Sequence, residues 1–557
     1  YEGINIGVGA HDNVIGGTNA SQRNVISGND GYGITLTDTN TDGNIVSGNY
    51  IGLDGSGSVA VSNAYNGIGI WGGSSSNIIG AGNVISGNFD YGIYISDDNT
   101  FGNVVQGNFI GTDARGETAV PNTYMGVGIW SGASGTLVGG LTAGARNVIS
   151  GNGDNGVATG FGVSGGNTIE GNYIGVTSNG LSALPNDGDG IYAEITAQTN
   201  VIDANIVSGN TYDGIELYAA TNNILEGNYI GTSPNGLAAI PNNEYGLALF
   251  VGSPSNQVTG NIVAASANYG VFLSDPGTSG NVLQGNYIGV GADGVTALGN
   301  SWQGMIIANG ASDNTIGLAM DGSGTGNIIA DNYSDGVDLF DAITVGDSIR
   351  GNSIFGNSGL GIGLVADDGS GPNDLESYPV LTSVAVFTNS MVIAGTVTGA
   401  PSRNIIIDIY YNPARDPSGY GQGKSYAGAT VAQTDAEGDG SFSMPLATRL
   451  AGQYFSATAT DAPTGNTSQF SLDVEATNAS GPGPGQLTDP RYSSATGFSF
   501  AITLATNQNY TIQEATNLSP PAVWTDVTNF FATNPSVQIV DGGATNSRTR
   551  FYRALTP

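Results

Sequence analysis

Four aspartates are the first candidates for chemistry. Asp38, Asp97, Asp275 and Asp341 each stand five residues after a glycine (Gly33, Gly92, Gly270, Gly336) that opens a phrase of alternating apolar residues. A glycosidic bond is hydrolysed by two carboxyl groups, about 5–5.5 Å apart for retention of configuration and about 6.5–9.5 Å apart for inversion. If the phrases stack as strands, Asp38 and Asp97 lie two spacings apart, roughly 10 Å, because the phrase between them carries Gly72 at the matching place. That exceeds both windows, and acids solvating turn tips explain the row. His11, the only histidine, sits near the first residue and reads as incidental. Residues 1–370 hold just four arginines, Arg23, Arg115, Arg146 and Arg350, none beside a dense run of acids. No catalytic residues are assigned, and no constellation of two carboxylates and a base within ~10 Å is expected along these residues.

Two runs could hold a hard cation. Asp38, Asn40 and Asp42, followed by Gly43, match the first half of a calcium loop, in which alternate residues project oxygens together. The twelfth position holds Asn49, where a bidentate glutamate is needed. Asp435, Glu437 and Asp439 form a similar run. Calcium is kept as an alternative at either run; a plain Asx-rich turn is the simpler reading. No other cofactor is expected. More informative is an aromatic row two or four residues after the phrase glycines: Trp71, Tyr94, Trp130, Tyr192, Tyr218, Phe250, Phe272 and Phe340. Alternation turns these side chains away from the core. Such a face can stack sugar rings, pack under the chain's own insertions, or meet another subunit.

The elements that carry these residues come from a repeat. NYIGLDGSG (from Asn49), NFIGTDARG (Asn108), NYIGVTSNG (Asn172), NYIGTSPNG (Asn228) and NYIGVGADG (Asn286) recur about every 58 residues. The glycine phrases, GITL at Gly33, GIGIW at Gly67, GIYI at Gly92 and so on to GIGL at Gly361, divide each period into two coils. Their spacings mostly alternate between about 34 and about 24 residues, so one coil of each pair carries an insertion. Period-two alternation means strands. Short strands, Gly-Asn turns and stacked coils make a parallel β-helix of about twelve coils, roughly 55–60 Å long. Ile34, Ile68, Ile93, Val127 and Ile215 should form one buried ladder. The turn asparagines Asn29, Asn49, Asn88, Asn108, Asn152 and Asn172 should stack as an amide ladder. The insertions after each NYIG phrase should form a fin along one side.

The pattern NVISGN, GI.I, GN.V.GNYIGTD..G..A.PN resembles the right-handed parallel β-helix repeats of large secreted bacterial surface proteins, over about residues 1–370. That resemblance implies the fold and leaves function open, since sugar lyases, hydrolases, epimerases, adhesins and spacers share it. The Ca²⁺-plus-arginine arrangement and the paired aspartates with a downstream histidine that such a resemblance would imply for a pectate lyase or a hydrolase are missing. Beyond Pro372 the strand spacing changes. Residues 373–475, with TDAEGDGSFS and GNTSQFS, resemble an Ig-like β-sandwich. Residues 476–488 read as a Gly/Pro-rich linker, and 489–557 as a small β-domain of a kind found at the ends of secreted bacterial proteins.

Composition bounds the function. The net charge of −34, with one lysine (Lys424) and no cysteine, leaves no basic surface for nucleic acid, anionic membrane or polyuronate, and no disulfide framework. No apolar run is long enough for a membrane span. The chain starts at Tyr1 with repeat-like sequence and no capping helix, so a secreted protein with an open first coil is expected. The leading expectation is a non-enzymatic structural or adhesive protein of a bacterial surface or matrix, self-associating head-to-tail into filaments. The alternatives are a polysaccharide lyase or hydrolase acting on a neutral glycan, and a glycan-binding module that uses the aromatic row.

Overall fold

The computed structural model describes residues 1–366, 369–387 and 390–479, and, in the last domain, 487–493, 497–503, 508–516, 523–534, 536–544 and 550–555. The first part is a right-handed parallel β-helix of three sheets. The first sheet has 13 strands, from Ile4–Ile6 to Ile362–Val365; the second and third have 12 each, starting at Val14–Gly16 and Val25–Ile26. Consecutive strands of the chain go to successive sheets, so each turn of the rod contributes one strand to every face.

Register follows the phrase glycines. Ile34 pairs with Ile68, Ile68 with Ile93 and Ile93 with Val127, all parallel. These residues and Ile215 are fully buried, as the expected ladder requires. The asparagines also stack, in separate ladders rather than one. Asn29, Asn88 and Asn152 alternate with Asn63 and Asn122, and each Nδ2 donates to the next Oδ1 at 2.7–3.0 Å. Asn49, Asn108 and Asn172 alternate with Asn83 and Asn147 at another corner. Each bond contributes about 1 kcal/mol net and satisfies an amide that would be costly to bury alone. The glycine of the NYIG phrase turns the corner beside the first of these ladders. Gly111 has φ +86°, and a Cβ there would strike Ser150 O and Asn152 Oδ1.

The five insertions share one internal bridge, from Leu53↔Ala60 to Val290↔Ala297, and stack as a fin. Ala114 N–H donates to Gly57 O, Ser178 N–H to Gly116 O and Ala292 N–H to Gly236 O. Apolar plugs at Val120 and Ile240 bury the aromatic residues of the third sheet, including Tyr50 and Tyr173. Arg23 and Arg146 lie over those two rings, 4.1 and 4.0 Å from the centroids.

Beyond the rod, two four-stranded sheets pack as a sandwich around Met391, Ile393, Ile405, Ile407, Phe442 and Phe455. This sandwich closes the end of its own rod. Tyr410 and Phe470 join the rod's core, and Gln422 Oε1 accepts from Asn357 Nδ2, extending an asparagine ladder across the junction. Arg350 reaches Asp408 through two bonds of 2.8 and 3.0 Å, both side chains buried. The first C-terminal module is therefore docked on the rod. Thr477–Asn478, inside the expected linker, forms a strand parallel to Val380–Val386; residues 480–486 of that linker lie outside the described residues. The last domain has two three-stranded antiparallel sheets around Phe500, Ile502, Ile512 and Ile539.

Candidate functional site

The solvent side of the first sheet carries the only group of three acidic side chains converging on one point among the described residues. Asp189 and Asp213 occupy the same place in two successive coils, just before Gly190 and Gly214. Glu216 stands two residues past Gly214, on the strand Ile215–Tyr218. One carboxylate oxygen from each lies within 4.8 Å of the others.

Backbone geometry sets this up. At the place before the coil glycine, the side-chain oxygens of Asn155, Asp189 and Asp213 each accept the N–H of the equivalent residue in the next coil. Asp189 N–H donates to Asn155 Oδ1 at 2.6 Å, Asp213 N–H to Asp189 Oδ1 at 2.9 Å, and Tyr245 N–H to Asp213 Oδ1 at 2.8 Å. Only Asn or Asp has an oxygen at this reach. One oxygen of each aspartate is thereby fixed. Glu216 is held beside Tyr192 by the strand register.

Burial is the main cause of the cluster's perturbed titration. Asp189 is pushed up to about 7, by burial and by Asp154 and Glu244 against a backbone bond that pulls down. Glu216 is pushed up to about 8 by burial, then by Asp189, Glu244 and Glu194. Asp213 is raised well above the carboxylate range by burial and by Asp189. No basic group acts on any of the three. At neutral pH such a cluster shares protons, which gives a protonated acid and an ionised carboxylate side by side.

Aromatic side chains flank the acids along the rod. On one side, Tyr91, Tyr94, Met125, Trp130 and Phe161 line a cavity of about 290 Å³ together with Glu194. On the other, Tyr245 and Tyr269 stack at 5.3 Å, and Phe250 meets Phe272 edge-on at 5.1 Å. The predicted row divides accordingly. Trp71 is half-buried against Tyr32, and Tyr94 against Tyr91. Trp130 is buried, its indole N–H without a partner. Tyr192 and Tyr218 share the acids' strands, Phe250 and Phe272 belong to the second group, and Phe340 lies half-buried nearer the end of the rod.

The acids first picked out have another task. Asp38, Asp97, Asp275 and Asp341 all adopt positive φ, and each accepts a backbone N–H from the preceding coil: Val8, Gly72, Val251 and Asn309, at 2.6–3.2 Å. They staple coils together. In the calcium candidates, Asp42 Oδ1 accepts from Ser75 N–H and Asn40 turns the corner at positive φ. Asp435 Oδ1 accepts from the N–H groups of Glu437 and Asp439. Asp435, Glu437 and Asp439 are not a converging group of three acids. Asp189, Asp213 and Glu216 escaped the sequence reading because it followed one row of acids, five residues past each glycine. The pair Asp-Gly in successive coils was the available signal.

No protein-family model and no curated protein matches the chain. Solved structures with a likeness include the A-module of the mannuronan C-5 epimerase AlgE4 of Azotobacter vinelandii (13% identity, 62% of this chain and 87% of that one, TM-score 0.30). Two others are a DFA-IIIase of Arthrobacter chlorophenolicus (12%, 55% and 77%, 0.31) and a capsular polysaccharide depolymerase, a tailspike protein of an Acinetobacter baumannii bacteriophage (7%, 78% and 77%, 0.25). These likenesses concern the fold. The expectation of a non-enzymatic structural or adhesive protein, polymerising head-to-tail, does not stand. The proteins of like fold just named are described as an epimerase, a DFA-IIIase and a depolymerase. In this chain itself, the constellation that the expectation took to be missing is present as Asp189, Asp213 and Glu216.

Proposed function

We propose that this chain is a glycan-cleaving enzyme, a retaining glycoside hydrolase acting on a neutral extracellular polysaccharide. The observation that carries the reading is the approach of three carboxyl groups, two buried and that of Glu216 partly exposed, to within 4.8 Å on the outward side of the first sheet. An approach within 4.8 Å lies nearer the retaining window of about 5–5.5 Å than the inverting one of about 6.5–9.5 Å. Glu216, the least buried of the three and raised to about 8, is the proton donor to the leaving oxygen. Asp189, raised to about 7, is the nucleophile in its ionised form. Its oxygen bonds the anomeric carbon as the glycosidic C–O bond breaks and the leaving oxygen takes the proton of Glu216. Water then attacks the same carbon, gives its proton to the Glu216 carboxylate, and releases Asp189. Asp213, raised well above the carboxylate range by burial and by Asp189, stays protonated beside the pair.

A neutral substrate agrees with the charges. Of the four arginines in the rod, Arg23 and Arg146 lie over fin-side tyrosines and Arg350 is tied to Asp408. The aromatic groups on either side offer stacking faces for sugar rings. The sandwich beyond the rod we read as an Ig-like support. Among the described residues no helix is long and apolar enough to cross a membrane.

Product stereochemistry tests the reading. Proton NMR during hydrolysis of a panel of neutral polysaccharides should show the anomer of the substrate released first; inversion, or no cleavage of any of them, refutes it. A second reading has its own support. The three converging oxygens are also a hard-cation ligand set. In that case cleavage would depend on Ca²⁺ and be abolished by chelation, whereas the hydrolase reading expects full activity in EDTA.

A further inference from the structure

A second cavity lies away from the acid cluster, at the end of the rod. It has a volume of about 490 Å³, within the usual size of small-molecule sites (about 300–1,000 Å³), and opens where the rod meets the sandwich. Leu364 comes from the last strand of the first sheet, Leu375 and Glu376 from the turn that follows, Tyr378 and Val380 from the start of the sandwich, and Thr396–Thr398 from its second strand. The walls are preformed. Arg350 and Asp408 lock the two bodies, and Gly351 N–H donates to Tyr410 Oη at 2.9 Å. A cleft between loosely tethered domains would have no fixed shape; this one does.

Its lining is amphipathic. Leu364, Leu375, Val380 and Val397 give apolar surface, while Ser377, Thr396, Thr398 and Gln469 bring hydroxyl and amide groups. Glu376 Oε1 is shut off from solvent and has no hydrogen-bond partner. Burial first, then Asp461 and Asp374, push Glu376 up to about 7. No basic group acts on it, so an anionic ligand is disfavoured. Tyr378 packs edge-on against Tyr420 at 5.7 Å and presents an aromatic edge at the cavity wall. An apolar face with a rim of hydroxyl donors is what a pyranose offers.

We infer that the junction cavity is a second, non-catalytic sugar site, in which one neutral pyranose unit of a glycan sets its apolar face on Leu364 and Leu375 and turns its hydroxyls to Thr396, Thr398 and Gln469. The choice of glycan as ligand rests on the hydrolase reading. The site would hold a chain on the enzyme independently of cleavage, so it acts on polymer retention rather than on bond breaking.

The full chain carrying Glu216→Gln binds without consuming its ligand. Its mobility is measured in native gels containing a β-glucan, a xyloglucan, a galactomannan or dextran. Retardation by at least one of these is expected. Adding Val380→Trp, which fills the mouth from an exposed position, should weaken binding at least threefold, and Gln469→Leu, which keeps the bulk and removes the amide, should weaken it as well. Melting temperatures unchanged from the parent exclude misfolding. Retardation unaltered by both changes, or absent with every polysaccharide, overturns the site. The hydrolase reading is judged apart, on soluble aryl glycosides too small to span the rod. There, Val380→Trp in an otherwise native chain should leave the rate unchanged; a fall in that rate would show that the cavity is not independent of catalysis and would overturn the inference.

Discussion

The same local phrase occurs twice on the first sheet, with different outcomes. Asp213-Gly214-Ile215-Glu216 and Asp335-Gly336-Val337-Asp338 each put one acid before the coil glycine and another two residues after it. In both, the first acid accepts the N–H of the next coil, Tyr245 in one case and Leu360 in the other. The difference lies one coil earlier. Asp189 precedes the first phrase, whereas Gln303 precedes the second, and its Nε2 donates to Asp338 Oδ2 at 2.9 Å. An amide supplies a donor; a third carboxylate supplies another charge and no donor. The first region is therefore a proton-sharing cluster and the second a half-satisfied pair. A single change of residue type in the neighbouring coil separates a reactive site from a structural one.

The comparison breaks hardest at Glu216. Glu216→Gln removes the proton donor while preserving shape, and hydrolysis of neutral polysaccharide should fall by about 10²–10⁴-fold, measured as initial rate, with folding intact by circular dichroism. Asp189→Asn writes the amide chemistry of Gln303 into the first region. Its Oδ1 can still accept Asp213 N–H, so the fold is kept, but the nucleophile is lost. Glu216 also loses Asp189's charge, the cause ranked after burial in raising it. The Glu216 carboxyl, followed by NMR, should then titrate below its present value of about 8; no downward movement would show that the two do not interact.

Stability should carry the same signature. Carboxyls raised in the folded state hold protons that the unfolded chain has released. Their contribution is complete below the unfolded range, near 4, and drains as pH rises through about 7 and 8, the values for Asp189 and Glu216. The melting temperature should therefore fall from pH 5 to pH 9, and fall less in Glu216→Gln. A native protein equally stable across that interval would mean the cluster is already neutralised by something else.

The rod was legible in the sequence because its physics is local and repeated. A glycine followed by alternating isoleucines fixes strand and facing, and the period fixes the stacking partner. The site was harder to see. Asp189 and Glu216 are 27 residues apart in the chain and meet only because Tyr192 pairs with Glu216. Counting from each phrase glycine would have aligned Asp189 with Asp213, yet the count was applied to the more regular row of Asp38 and Asp97, whose regularity comes from a turn with positive φ. Docking of the sandwich was not legible at all. Arg350 and Asp408 belong to different repeat patterns, and nothing in either flanking sequence marks a partner.

The smallest effect is expected in the second region, and its sign depends on pH. Asp338 is pushed up to about 7 by burial, then by Asp335, against the bond from Gln303. Its Oδ1 is buried without a donor, and together with Asp335 Oδ2 it crowds the Cα of Gly363, where a side chain would strike both. In Asp338→Asn, the amide oxygen still accepts from Gln303 Nε2, and the new Nδ2 faces Asp335 Oδ2 as a donor at every pH. Below pH 6 the native carboxyl is protonated and can make the same contact, so the variant should match the native chain. Above pH 8 the native pair is ionised and repels, and the variant should be more stable by about 1 kcal/mol, the net worth of one hydrogen bond. Polysaccharide hydrolysis should be unchanged throughout, because this pair lies several coils from Asp189 and Glu216. Urea unfolding at pH 6 and pH 9 checks the stability, and rates on the same samples check the activity. If Asp338→Asn abolishes cleavage while Glu216→Gln does not, the assignment of the two regions is reversed.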